Sequence, residues 1–146
     1  MKTQVLAAIS STQRFEGSDE EHVELVTCAS LYERQGKFYV SYDESELTGL
    51  NGTRTTVKLD GKSVTLIRTG TYPSHMQFTE GERQVGLYDT GFGMLTISTH
   101  ASRVYNTIGA RGGELAIDYT IEIDQNVAGR HHFEMVVTPQ DKTENK

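Results

Sequence analysis

"ELAIDYTIEID", residues 114–124, alternates without a break: Leu115, Ile117, Tyr119, Ile121 and Ile123 fall on one side, and Glu114, Asp118, Glu122 and Asp124 on the other. A period of two belongs to an extended strand, whose successive side chains leave opposite faces. A face so heavily charged has to stand in water, so the segment reads as one strand of a sheet that is wet on one side and buried on the other. If "DQN" at 124–126 is a three-residue loop, the next run returns antiparallel. That loop sets Tyr119 opposite His131, Ile117 opposite Phe133 and Leu115 opposite Met135.

The same pattern extends along the chain. Runs rich in Val, Ile, Thr, Tyr and Phe are separated by short polar clusters: "EGSDEE" at 16–21, "RQGK" at 34, "LNGT" at 50, "LDGK" at 59, "TYPS" at 71, "TEGER" at 79, "DTGFG" at 89 and "GARGGE" at 109. These are hairpin signals, and no window keeps apolar residues at helical spacing. About ten one-sided strands with short connections hide their edges best by closure. The expectation is an all-β fold, a single up-and-down antiparallel β-barrel of about 8–10 strands over residues 1–139, with a disordered tail at 140–146.

Bulk composition limits the functions open to such a barrel. The chain has 146 residues, enough for one core, with 14 Lys and Arg against 20 Asp and Glu for a net charge of -6. Its basic residues are scattered, which argues against nucleic acid or an anionic membrane surface as partner. Cys28 is alone, so no intrachain disulfide forms. The opening "MKTQVLAAISSTQRF" reads as a first strand because its apolar patch is too short for a signal peptide, and no run is long enough to cross a bilayer as a helix. A cytoplasmic setting follows as the economical reading.

Tight turns predict register. A Gln35-Gly36 loop sets Leu31 opposite Val40, Tyr32 opposite Tyr39, Ala29 opposite Tyr42 and Thr27 opposite Glu44. Asn51-Gly52 as a two-residue loop sets Glu46 opposite Val57 and Glu44 opposite Leu59, and Asp60-Gly61 sets Val57 opposite Val64. All three agree on one inner face, which also carries Arg68. In "QGKFYVSYDESE", residues 35–46, that face runs through Phe38, Val40 and Tyr42 into Glu44 and Glu46. For the strand at 92–108, "DTGFGM" permits more than one loop length, so either face is open as the inner one.

The ordered set "YDESELTG", "NGTRT", "LIRTG", "MQF", "YDTGFG" and "GGELAIDYTIEI" resembles the YwiB-like family of small bacterial proteins, over residues 4–137. The resemblance implies a lipocalin-like (calycin) β-barrel, a domain of unknown function. It implies no activity, catalytic residue or cofactor.

The residues themselves offer two polar patches on the inner face: Tyr42, Glu44 and Arg68, and the pair Tyr119 with His131. Burying a carboxylate is costly without partners, so Glu44 demands a counter-charge, water or a ligand. The predicted register puts Arg68 six residues along the strand from Glu44, about 20 Å at the usual rise, and makes Lys62 the nearer partner. Arg68, whose planar fork suits anionic groups, is read as projecting into the lumen as an anchor. The preferred function is a non-enzymatic binder of a small, partly apolar ligand in the lumen, with Arg68, Glu44, Tyr42, Tyr119 and His131 as polar contacts. The alternative is an interaction or regulatory module acting through its outer face, the lumen packed shut. A weak homodimer through the Tyr32 and Tyr39 face belongs to that second reading. No catalytic residue, metal ligand set or cofactor motif is identified. "GARGGEL" lacks the Lys and Ser/Thr of a phosphate loop, and His131-His132 point to opposite faces.

Overall fold

The computed structural model describes residues 2–140 apart from 16, 47–49, 72, 90–92 and 124–125. Ten strands follow one another: β1 (Lys2–Phe15), β2 (Glu21–Arg34), β3 (Lys37–Asp43), β4 (Thr53–Asp60), β5 (Ser63–Gly70), β6 (Ser74–Thr79), β7 (Arg83–Asp89), β8 (Met94–Asn106), β9 (Gly113–Ile123) and β10 (Asn126–Pro139). Each pairs antiparallel with its neighbour in sequence, and β10 pairs with β1, closing the barrel. The predicted up-and-down meander is the observed topology. The segment 141–146, most of the predicted disordered tail, lies outside the described residues, whereas Gln140 is held by its amide on the Gln4 carbonyl (3.3 Å) and by its side chain on Cys28 Sγ (3.6 Å).

Inner-face residues fill one continuous core, from Val5, Ala7 and Ile9 on β1 through Val40, Val57, Leu66, Phe78, Ile97 and Ile117 to Met135 and Val137 on β10. Three features set which residues point inward. Gln35 and Gly36, both at positive φ (54° and 80°), form the tight loop that gives Leu31↔Val40 and Tyr32↔Tyr39. The β9–β10 register is the predicted one, Tyr119↔His131 and Ile117↔Phe133, although the route differs: Asn126 already pairs with Ile123, and a bulge between Val127 and Gly129 restores the alignment. On β8 a second bulge, between Ala101 and Arg103, switches the buried side from Ile97, Thr99 and Ala101 to Val104. A strand with such a switch has no single inner parity.

Two predicted registers are wrong by whole residue pairs. Val57 faces Val40 rather than Glu46, because the chain leaves β3 at Asp43 and spends residues 44–52 in a connection before re-entering the sheet. Asn51-Gly52 does turn, with the Thr53 amide on the Leu50 carbonyl (3.0 Å), but it is the end of that connection and not the whole of it. In the next hairpin the two loop residues are Gly61 and Lys62, so Leu59 faces Val64 and Val57 faces Leu66. The offsets, six and two residues, are even, so the paired residues of β3, β4 and β5 keep the faces assigned to them. Pairing of β2 with β3 stops at Ser30↔Ser41, so Thr27, which pairs with Ala7 on β1, does not face Glu44.

Outside, Tyr32 and Tyr39 stack at 5.1 Å and 4°. Lys2 Nζ lies 5.2 Å from the Tyr32 ring and the Arg34 guanidinium 5.8 Å, so the chain's own cations already engage this ring.

Candidate functional site

In a meander, connections alternate between the two ends of the barrel. The connections 16–20, 44–52, 71–73, 90–93 and 124–125 all fall at the same end. Every candidate residue stands toward that end, on two opposite walls.

On the β3–β6 wall, the six-residue offset brings Tyr42, Thr55 and Arg68 level across three strands, Tyr42↔Thr55 and Thr55↔Arg68, with Ser74 next in the row opposite Arg68. Glu44 is the first residue past β3. Its amide still bonds the Thr53 carbonyl (2.8 Å), so its side chain keeps the inward direction of Tyr42. Its carboxylate accepts a hydrogen bond from Thr55 Oγ1 (Oε2, 2.5 Å) and stands 3.8 Å from Arg68 Nε, which also donates to Thr55 Oγ1 (3.4 Å). The Glu44 side chain is 3 % exposed and that of Arg68 17 %. The sequence-based rejection of a Glu44–Arg68 pair is thus overturned. So is the assignment of Lys62 to Glu44: Lys62 Nζ is outside, 3.7 Å from Glu80 and donating to the Val104 carbonyl (3.2 Å). Glu46 is exposed, so only one of the two carboxylates that seemed to enter the lumen does so.

This polar row is not saturated with hydrogen bonds. Burial, reinforced by the adjacent Glu44 carboxylate, pushes the Tyr42 hydroxyl well above its ordinary value, so it stays a protonated donor. Among the described residues, the two terminal nitrogens of Arg68 meet no acceptor; only Nε is used. Ser74 Oγ, across the strand pair from Arg68, is buried and without a hydrogen-bond partner. Buried polar atoms without partners are rare and call for a ligand, water or ion. Ser74 was not singled out from the sequence. The register Arg68↔Ser74, available only once the 71–73 connection is known, is the signal that identifies it.

On the opposite wall Tyr119 and His131 stack (5.0 Å, 9°), with Phe15 edge-on to His131 (5.3 Å, 83°). Tyr119 also meets Phe78 of β6 at 4.4 Å. Strands β7 and β8 separate β6 from β9 in the wall, so this contact crosses the interior. Phe78 lies four residues deeper along β6 than Ser74, so the Phe78–Tyr119 contact lies below the Arg68 row. His131 Nε2 is buried with no hydrogen-bond partner, and burial lowers the imidazole to about 4, so it is neutral at neutral pH. The five predicted contacts therefore form two groups at one end of the barrel, a polar row and an aromatic stack.

His132, pointing out, is the reverse of His131. It is held between Glu134 (2.6 Å to Nε2) and Asp118, which raises it above its ordinary value. Among the described residues no group of three or more His, Cys, Asp or Glu has the placement to hold a metal ion, and no helix is long and apolar enough to cross a membrane.

A closed ten-stranded antiparallel barrel with a buried polar row defines the class. Residues 8–135 match the family described as "Domain of unknown function (DUF1934)", and the chain belongs to that family. It is similar to the uncharacterized beta-barrel protein YwiB of Bacillus subtilis (strain 168), with 24% identity over 115 residues, 79% of this chain and 80% of that one. The fold is similar to the crystal structure of the ywiB protein from Bacillus subtilis, at a TM-score of 0.83 and 21% identity, covering 96% of this chain and 94% of that one. The resemblance carried by the ordered motifs is borne out.

Proposed function

We propose that the protein is a non-enzymatic binder of a small, partly apolar molecule held in the lumen, with an acceptor group, a carbonyl or a carboxylate, seated between Arg68 and Ser74. One observation carries this reading: among the described residues, a largely buried guanidinium uses only Nε while a buried hydroxyl opposite it has no partner. Tyr42 and Thr55 supply further hydroxyls to the same row, and Val57 and Leu66 the apolar wall beside it. Phe78, Tyr119 and the neutral His131 offer an aromatic surface on the far side without demanding charge from the occupant. Barrels of eight strands already house one small ligand, as lipocalins do, and diameter grows with strand number. Glu44 is given no catalytic role here, since its carboxylate is committed to Thr55 and Arg68. The exposed, free Cys28 suits a reducing, cytoplasmic setting.

Native mass spectrometry of the protein purified from its own cells tests the reading. The expected result is a retained small molecule in the wild type that is lost from Arg68→Gln. Identical spectra for the two proteins, without any retained mass, would overturn it.

A further inference from the structure

The β1–β10 ladder ends at Phe15↔Gly129, and beyond that pair lies a cleft of about 490 Å³ between the connection at 17–19 and the start of β10. Arg14 and Arg130, directly opposite each other across the two strands, both line it. Like charges placed opposite on a sheet repel. In a chain with a net charge of -6 there is no shortage of carboxylates to separate them, yet among the described residues neither arginine has an ion pair or hydrogen bond. Asp19 lines the cleft too and pairs with neither. The remaining walls are partly apolar: Phe15 and Val127, exposed to 38 % and 39 %, are among the large hydrophobic side chains left in contact with solvent.

The cleft has a built floor. Gly129 brings the β10 backbone against the Phe15 ring, where a Cβ would stand 2.9 Å from Cδ1, and Phe15 in turn rests edge-on against His131. The bulge between Val127 and Gly129 bends the strand at this point. Two unpaired guanidiniums on the outer face, in a cleft that Val127 and the rim residue Phe15 also line, are complementary to a compact anion carried on an apolar body. A guanidinium pairs with carboxylate or phosphate oxygens through two parallel hydrogen bonds, and two guanidiniums can share one such group.

We infer that this cleft is a second binding site, separate from the Arg68 chamber, for a small organic anion whose phosphate or carboxylate bridges Arg14 and Arg130 and whose apolar part lies on Phe15 and Val127. Its volume falls within the range of small-molecule sites. Anion binding removes the repulsion across the ladder, so occupancy also stiffens the β1–β10 seam that closes the barrel.

Titration with phenyl phosphate, followed by the amide signals of Val127 and Gly129 and the Nε signals of Arg14 and Arg130 in NMR spectra, tests the inference. Saturable shifts are expected in the wild type, at least tenfold weaker binding in Arg130→Gln, and unchanged binding in Arg68→Gln, which separates this site from the chamber. Inorganic phosphate and phenol, each lacking one half of the probe, are expected to bind at least tenfold more weakly. Both arginines face outward and carry no bond, so Arg130→Gln keeps the wild-type spectrum away from the cleft. Absence of saturable shifts, equal binding by Arg130→Gln, or shifts centred on Arg68 would overturn the second site. Equal binding of inorganic phosphate would overturn its apolar half.

Discussion

Two opposite walls at this end of the barrel treat an inward-pointing ionisable residue in opposite ways. On the β3–β6 wall, Glu44 and Arg68 stand 3.8 Å apart and both bond Thr55 Oγ1. On the β9–β10 wall, His131 has no hydrogen-bond partner on Nε2, is flanked by Tyr119 and Phe15, and is kept neutral by burial. What separates them is the company each keeps. On the first wall the neighbours are hydroxyl residues and a group of opposite type; on the second they are the rings of Tyr119 and Phe15, with Gln13 across the β1 seam. A charge can stay buried in the first setting and not in the second.

The widest break in this comparison comes from removing one half of the charged pair. Arg68→Met leaves Glu44 buried without its counter-charge and is expected to cost about 3 kcal/mol in denaturant unfolding. Arg68→Met with Glu44→Gln is expected to recover most of that loss. A double variant as unstable as the single one would show that the pair is not the unit of stability.

Acid sharpens the comparison on the other wall. His131 titrates at about 4 in the folded protein against 6.5 for the ordinary imidazole, so as pH falls the unfolded chain takes up the proton first. The stability it contributes is complete above 6.5 and is lost as pH falls from 6.5 towards 4, a loss of about 2 kcal/mol. His131→Phe should flatten that limb in unfolding curves recorded from pH 7 to 4. His132 has the opposite sign: its raised value makes its contribution complete below the ordinary imidazole value and lost as pH rises through the raised one. His132→Gln should therefore leave the acid limb in place.

The smallest effect lies outside both walls. Tyr32→Ala removes a stacked cross-strand pair and two cation contacts, and is expected to cost about 0.5 to 1 kcal/mol with no change in mass by analytical ultracentrifugation. A shift to lower mass would instead make this face a homodimer surface.

Much of the barrel was legible because side-chain parity survives errors in pairing. Val57, Val64 and Leu66 point inward whether Val57 faces Val64 or Leu66, since slips of two or six residues preserve the face. The Tyr119–His131 contact was legible for the same reason, with a bulge making up what the loop lacked. The Glu44–Arg68 pair was not legible, because its level depends on how much chain leaves the sheet between β3 and β4. "NGT" marks a turn without saying how many residues precede it outside the sheet. Ser74 and the Arg14–Arg130 opposition were missed because each depends on a strand partner that no single segment names.

By itself, then, the sequence determined that the chain is a meander of one-sided strands, which residues of most strands line the inside, and that Gln35-Gly36 is a tight hairpin, since all of these depend on local alternation and turn chemistry. Only the tertiary structure decided how far along the barrel each inward residue stands, which wall it shares and whether its charge finds a partner. Those follow from connection lengths, bulges and closure of β10 on β1, which relate residues far apart in the chain and leave no local periodicity to read.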